Sequence, residues 1–257
     1  MLAILSPAKD MKVLPAKQKA TDRFTCPEFL NRSAGLITDL KKLKPGDLTQ
    51  LMKISEKLAV LNYDRYRNWQ KEHTAENASQ AILSFTGEAY RGLMAAEFSD
   101  TELEYSQSVL RILSGLYGVL RPLDLIQEYR LEMGTRHNFR GKKNLYEFWQ
   151  RTVTKAIDQA VENSPGDKIL INVASNEYAS AINFKKLKHQ VVTASFYQEQ
   201  DGEIKMIAVY AKKARGMMTR FIIKNQIEKS DDLKAFDLEG YYYDATRSTE
   251  DKWIFVR

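Results

Sequence analysis

The chain has 257 residues, 44% of them hydrophobic, with 39 Lys and Arg against 33 Asp and Glu for a net charge of +6. That length and apolar content can bury a core without staples, and 6 prolines and 12 glycines among many aromatics exclude a disordered chain. One cysteine, Cys26, excludes a disulfide framework or a Cys-rich metal site, and the scattered His73, His137 and His189 give no ligand set, so no cofactor or metal is expected. The mild basicity is compatible with nucleic acid without pointing to it.

Met1-Leu-Ala-Ile-Leu5 is apolar and stops at Ser6-Pro7, which predicts a short buried strand. It is too brief for a secretory leader and has no basic stretch before it. Nowhere do about 18 apolar residues run together. The expectation is therefore a cytoplasmic protein with no membrane partner.

Leu30, Ala34, Ile37 and Leu40 recur at helical spacing between Pro27 and Leu43, and Lys44-Pro45-Gly46 breaks the pattern. Asp47 and Ser55 are candidate caps for two more short helices, so Asp47–Trp69 reads as a helical hairpin. Its second half, Tyr63-Asp-Arg-Tyr-Arg-Asn-Trp69, interleaves Arg with aromatics. Such a hairpin can present backbone N–H groups to a DNA phosphate, or it can simply be core, and its joint has no glycine of the kind tight DNA-binding hairpins favour.

Ser99-Asp-Thr-Glu102 is a capping box opening a helix that leads to Val109. The run Leu113–Asp124 is apolar, with Gly115 and Gly118 where the backbone turns or comes close to something. Asn144–Val161 is an amphipathic helix with Leu145, Phe148, Trp149, Ala156, Ile157 and Ala160 as its stripe. Lys168–Ala174 reads as an interior strand emptying into a polar turn. Val191–Tyr197 and Ile204–Tyr210 form a hairpin about Asp201-Gly202, a helix runs from about Lys212 to Ile227, and short strands lie near Tyr241–Tyr243 and Trp253–Val256. Together these predict a single mixed α/β domain over residues 1–257, with a mixed sheet, surrounding helices and the helical hairpin, in which regular βαβ alternation is not sustained.

Three polar segments follow predicted strands, where sheet proteins gather functional groups. Ser6-Pro-Ala-Lys9 offers a hydroxyl and an ammonium that can bind phosphate or act as a nucleophile, or form a plain surface turn. Gly115–Gly134 holds Tyr117, Arg121, Asp124, Tyr129, Arg130 and Glu132. Its arginines suit phosphate recognition and equally suit an internal ion-pair network with Asp124 and Glu132. The segment carries neither G-x-G-x-x-G nor G-x-x-x-x-G-K-[ST]. The third segment is Asn172-Val-Ala-Ser175-Asn-Glu177-Tyr178, joined by Lys212, Lys213 and Arg215 at the start of a helix whose flank carries Arg220 and Lys224. Cations at a helix start oppose its dipole unless an anion sits there, and the alternative is a solvated basic face.

Ile4-Leu-Ser-Pro-Ala-Lys9, Leu113-Ser-Gly-Leu-Tyr-Gly-Val-Leu-Arg-Pro-Leu-Asp124, Tyr129-Arg-Leu-Glu-Met-Gly134, Asn172-Val-Ala-Ser-x-Glu-Tyr178 and Tyr210-Ala-Lys-Lys-Ala-Arg-Gly216 together resemble the YaaA family of bacterial peroxide-stress proteins, nearly end to end. The resemblance implies a distinct mixed α/β fold and a cytoplasmic protein that limits oxidative damage. It also implies DNA binding through a positively charged cleft and a helix–hairpin–helix element, with no reaction attached to the family as a whole.

A thiol peroxidase needs an activated cysteine with a resolving partner, and haem or non-haem iron chemistry needs ligands that three dispersed histidines do not suggest. Protection would then act downstream of peroxide. The leading expectation is a DNA-binding stress protein whose partner is duplex DNA, distorted or damaged in the sharper version, with Lys9, Arg121, Arg130, Lys212, Lys213, Arg215 and Arg220 on its phosphates. The alternative is an enzyme acting on a nucleobase, an abasic site or a small phosphorylated ligand, with Ser6, Lys9, Tyr117, Asn172, Ser175 and Glu177 converging on a pocket and Lys9 as the nucleophile.

Overall fold

The computed structural model describes residues 1–12 and 21–257. The chain opens with strand β1 (Leu2–Leu5) and a two-residue strand β2 (Asp10–Met11), followed by helices α1 (Leu30–Leu40), α2 (Pro45–Met52) and α3 (Glu56–Asn68). Short elements come next: β3 (Ser79–Gln80), α4 (Ala81–Ser84), β4 (Phe85–Thr86) and α5 (Glu88–Leu93). Helix α6 (Asp100–Val109) then runs directly into β5 (Leu110–Ser114), which is followed by β6 (Gly118–Leu120) and β7 (Leu125–Ile126). The last part holds α7 (Leu145–Glu162), β8 (Ile169–Asn172), α8 (Asn176–Ala179), β9 (Gln190–Gln200), β10 (Glu203–Lys205), α9 (Ala208–Lys224), β11 (Tyr242–Tyr243) and β12 (Lys252–Val256). No helix of the described residues is long and apolar enough to cross a membrane.

The fold is mixed α/β around an eight-stranded mixed sheet in the order β11-β12-β9-β8-β1-β5-β6, with β10 paired to β9. Its middle is parallel: β1 lies between β5 (Ile4 opposite Arg111) and β8 (Ile4 opposite Asn172), and β9 and β12 continue on the β8 side. Met1 through Leu5 are at most 1% exposed, the burial that a central parallel strand covered on both faces requires. In chain order the parallel strands run β1, β5, β8, β9, β12, so the chain steps outward to β5 and then returns across β1 to β8. The direction in which strands are added reverses there, which puts the switch point of the parallel strands between β1 and β8. Regular βαβ alternation is not sustained, as expected. Among the described residues the first crossover, residues 6–109, carries six helices and three satellite strands in place of one helix.

Most predicted elements stand where the periodicity places them. Ser99 and Glu102 form the capping box of α6, and Asn144 Oδ1 caps α7 by accepting the Glu147 N–H at 2.9 Å. Gly118 sits at φ 74°, and a Cβ there would lie 2.7 Å from the Trp149 ring of α7, so it both turns the chain and admits the indole. Three boundaries differ. Pro45 opens α2, and Asp47 is its third residue, accepting the Lys44 N–H at 2.8 Å, so proline and a returning carboxylate do the capping. The Asp201-Gly202 hairpin forms with both residues at positive φ, yet its second strand ends at Lys205. Helix α9 begins at Ala208, because Ala211, Ala214 and Met218 bury a helical stripe that overrides the apolar Ile204–Tyr210 run.

Candidate functional site

The carboxyl ends of β1 and β8 meet at the switch point, and Ser6 joins them. Its Oγ accepts the Ser175 N–H at 2.9 Å and lies 3.2 Å from the Ser175 Oγ. The Ser6 carbonyl accepts the Tyr90 hydroxyl at 3.1 Å. Alongside, Ser114 Oγ and Tyr129 OH are 2.6 Å apart, and burial pushes the phenols of Tyr90, Tyr129 and Tyr178 upward, so all three are neutral donors. Asn172, buried at the end of β8, turns its own loop by accepting the Ala174 N–H at 3.0 Å. Glu177 Oε1 accepts the Gly134 N–H at 2.9 Å.

Lys9 reaches Glu132 at 2.7 Å, and the same carboxylate takes Arg130 at 3.2 Å. Pro7, Lys9, Tyr129, Arg130, Glu132 and Tyr178 enclose a crevice of about 10 Å³, room for one water. Of the enzymatic set, Ser6, Lys9, Ser175 and Glu177 therefore come to one end of the sheet around a nearly closed surface. Tyr117 does not join them. It is fully buried, its hydroxyl bound by Trp69, His73 and Gln127.

The cations nominated for phosphate contact are dispersed, and most meet a carboxylate. Arg121 grips Asp124 through Nε and a terminal nitrogen at 3.1 and 2.9 Å and donates to the Cys26 carbonyl, so the ion-pair alternative describes both it and Arg130. Lys213 binds Glu239, which Arg257 also holds at 2.8 Å, and together they pull the Glu239 carboxyl below its ordinary range. Arg220 pairs with Glu97 at 2.7 Å and its neighbour Lys224 with Glu102 at 2.9 Å. Among the described residues, Lys212 and Arg215 have no carboxylate partner. Lys212 is exposed, whereas Arg215 is half-buried with its Nε unbonded. Because α9 starts at Ala208, these cations occupy its second turn, and the opposed-dipole argument for an anion at its start no longer applies.

The hairpin formed by α2 and α3 has a joint of three residues, Lys53-Ile54-Ser55. Lys53 adopts φ 52°, ψ 50°, the left-handed turn that glycine usually supplies, and Ser55 Oγ caps α3 by accepting the Leu58 N–H. Ile54 is buried, leaving Lys53, Glu56 and Lys57 exposed at the tip.

A concavity of about 730 Å³ is lined only in part by the segments that the sequence singles out. It lies where Arg121 is joined by Arg111, Arg151 and Lys155, and no other nominated cation lines it. Two sequence signals mark it: an arginine inside the apolar run Leu110-Arg-Ile-Leu113, and Arg151 and Lys155 four residues apart on an amphipathic helix. Among the described residues no cluster of three or more His, Cys, Asp or Glu could hold a metal ion.

Comparison with known proteins places these features in a lineage. The family model described as peroxide stress protein YaaA matches residues 1–247. The UPF0246 protein Mmwyl1_3597 of Marinomonas sp. (strain MWYL1) is 46% identical over 258 residues, covering 100% of this chain and 97% of that protein. A family match that takes in the buried first strand and the switch-point loops leaves one assignment: the chain belongs to the YaaA family of peroxide stress proteins.

Proposed function

We propose that the protein serves peroxide-stress resistance as a DNA-binding protein, with the tip of the α2–α3 hairpin on the phosphate backbone. The observation that carries the reading is the conformation of Lys53. A lysine held in the left-handed region, at a steric cost of about 1 kcal/mol, makes the joint tight without glycine and puts a cation where the turn comes nearest a partner. Lys57 follows in the first turn of α3, where the N–H groups of Glu56 and Lys57 have no carbonyl partner within the helix. Contacts of this kind recognise backbone and shape, which suits a protein that answers damage wherever it falls.

The test is fluorescence anisotropy with a labelled duplex, and the same duplex carrying a bubble or an abasic site, from about 50 to 200 mM salt. Salt-steep binding is expected. The double variant Lys53→Glu, Lys57→Glu should bind weakly, with the log–log salt slope lowered by about one for each phosphate the protein no longer neutralises. An unchanged slope overturns the reading.

A second reading, chemistry on a nucleobase or abasic sugar, draws support from the position of Ser6, Lys9 and Ser175 at the switch point of the sheet. Borohydride trapping on abasic DNA tests it. Absence of a Lys9-dependent adduct, while intact duplex still binds, removes it.

A further inference from the structure

Arg111 is a charge in the wrong place for a merely structural residue. It sits in β5, with β1 on one side and β6 on the other, in a strand whose remaining residues are all buried. The antiparallel pairing ends at Ile112 and Leu120, and the next residues on each side, Arg111 and Arg121, lie close enough for their charges to repel. Like charges across a strand pair destabilise a sheet, and Asp124, which could relieve both, is already gripped by Arg121 and bound by Thr25 at 2.6 Å. Arg111 makes its protein hydrogen bonds through a single nitrogen, to the carbonyls of Gln107 and Leu110 at 2.7 Å each. Desolvation draws its guanidinium down to about 10, Asp124 opposing and Arg121 reinforcing the shift, so it is still a cation at neutral pH.

From across the gap α7 adds Arg151 and Lys155, both exposed and neither paired with a carboxylate among the described residues. Four cations from three elements thus face one cleft of about 730 Å³, against the carboxylates of Glu28 and Asp124. That volume falls within the range of about 300–1,000 Å³ typical of small-molecule sites. The half-buried ring of Phe29 and the side chains of Val119 and Ala156 supply an apolar wall.

We propose that this cleft binds a small phosphorylated ligand with a flat apolar body, the chemistry of a nucleotide, its phosphates on Arg111, Arg151 and Lys155 and its ring against Phe29. Guanidinium forks match phosphate oxygens in pairs, and an anion between Arg111 and Arg121 turns their repulsion into shared attraction. The site is separate from the hairpin tip and from the Ser6 crevice.

Calorimetric titration of the whole protein with ADP, adenosine and inorganic phosphate tests it. Saturable ADP binding is expected, with both fragments much weaker. The double variant Arg151→Ala, Lys155→Ala changes two exposed helix positions and should keep the native circular dichroism while losing about tenfold or more in ADP affinity. Phe29→Ala should bring ADP affinity down toward that of phosphate. The hairpin variant Lys53→Glu, Lys57→Glu should bind ADP as before, which separates this proposal from DNA binding. No saturable heat with ADP, equal affinity for ADP and phosphate, or full affinity in the Arg151, Lys155 variant overturns it.

Discussion

Tyr117 shows how one buried hydroxyl can dictate the state of a neighbour. It receives N–H groups from Trp69 Nε1 at 3.1 Å and from the Gln127 backbone at 3.2 Å, so its own proton goes to His73 Nε2 at 3.0 Å. That leaves His73 with its proton on Nδ1, toward the Lys71 carbonyl at 3.2 Å. Burial lowers His73 from its ordinary 6.5 to about 4, opposed only by that backbone contact. Between those values the unfolded chain takes up a proton that the folded chain refuses. Stability attributable to His73 is therefore whole above pH 6.5 and drains away as the pH falls toward about 4, at no more than about 1.4 kcal/mol per pH unit. Urea unfolding across that window should show a steeper acid decline for the native protein than for His73→Gln. Identical pH profiles would mean that the imidazole reaches water in the fold.

At the scale of elements, α5 and α9 pack backbone against backbone. A Cβ on Gly216 would lie 1.7 Å from the Ala89 carbonyl oxygen, and one on Gly92 would lie 2.2 Å from that of Lys213. Gly216→Ala must pry the helices apart and should cost about 1–3 kcal/mol, read as a lowered unfolding midpoint, although alanine favours helix on its own account. The hairpin behaves in the opposite sense. Lys53→Gly relieves a left-handed lysine, so it should leave the fold at least as stable while removing a cation from the tip, and a loss of DNA affinity in that variant can then be assigned to charge. Both features show what was legible. The helices themselves follow from apolar spacing and caps, down to Ser55 and Ser99. The left-handed Lys53 and the α5–α9 contact do not, because the first breaks a residue preference and the second joins segments distant in sequence.

Across the whole molecule the same division holds. Buried strands were readable as apolar runs, and Arg121–Asp124 and Arg130–Glu132 were readable as ion pairs because their partners are close in sequence. Lys213–Glu239 and Arg220–Glu97 were not, since each carboxylate comes from an element that only the fold brings near. The cleft beside α7 is not legible in the sequence for the converse reason: its four cations come from strand, turn and helix, and no local pattern unites them.

The position of β1 has a consequence for how this protein comes into being. Strand β1 leaves the ribosome well before either of its neighbours in the middle of the sheet, and Ile4 finds its flanking partners only at Arg111 and Asn172. Until β8 has emerged, Met1–Leu5 is an apolar strand with an unsatisfied edge, the kind of segment that nascent-chain chaperones shield. Folding must wait for the chain to return across β1, and contacts so distant in sequence make that step slow. Chains stalled before residue 169 should be digested by protease throughout, whereas chains stalled well past Val256 should resist, and the change should come abruptly once the central strand acquires its second neighbour.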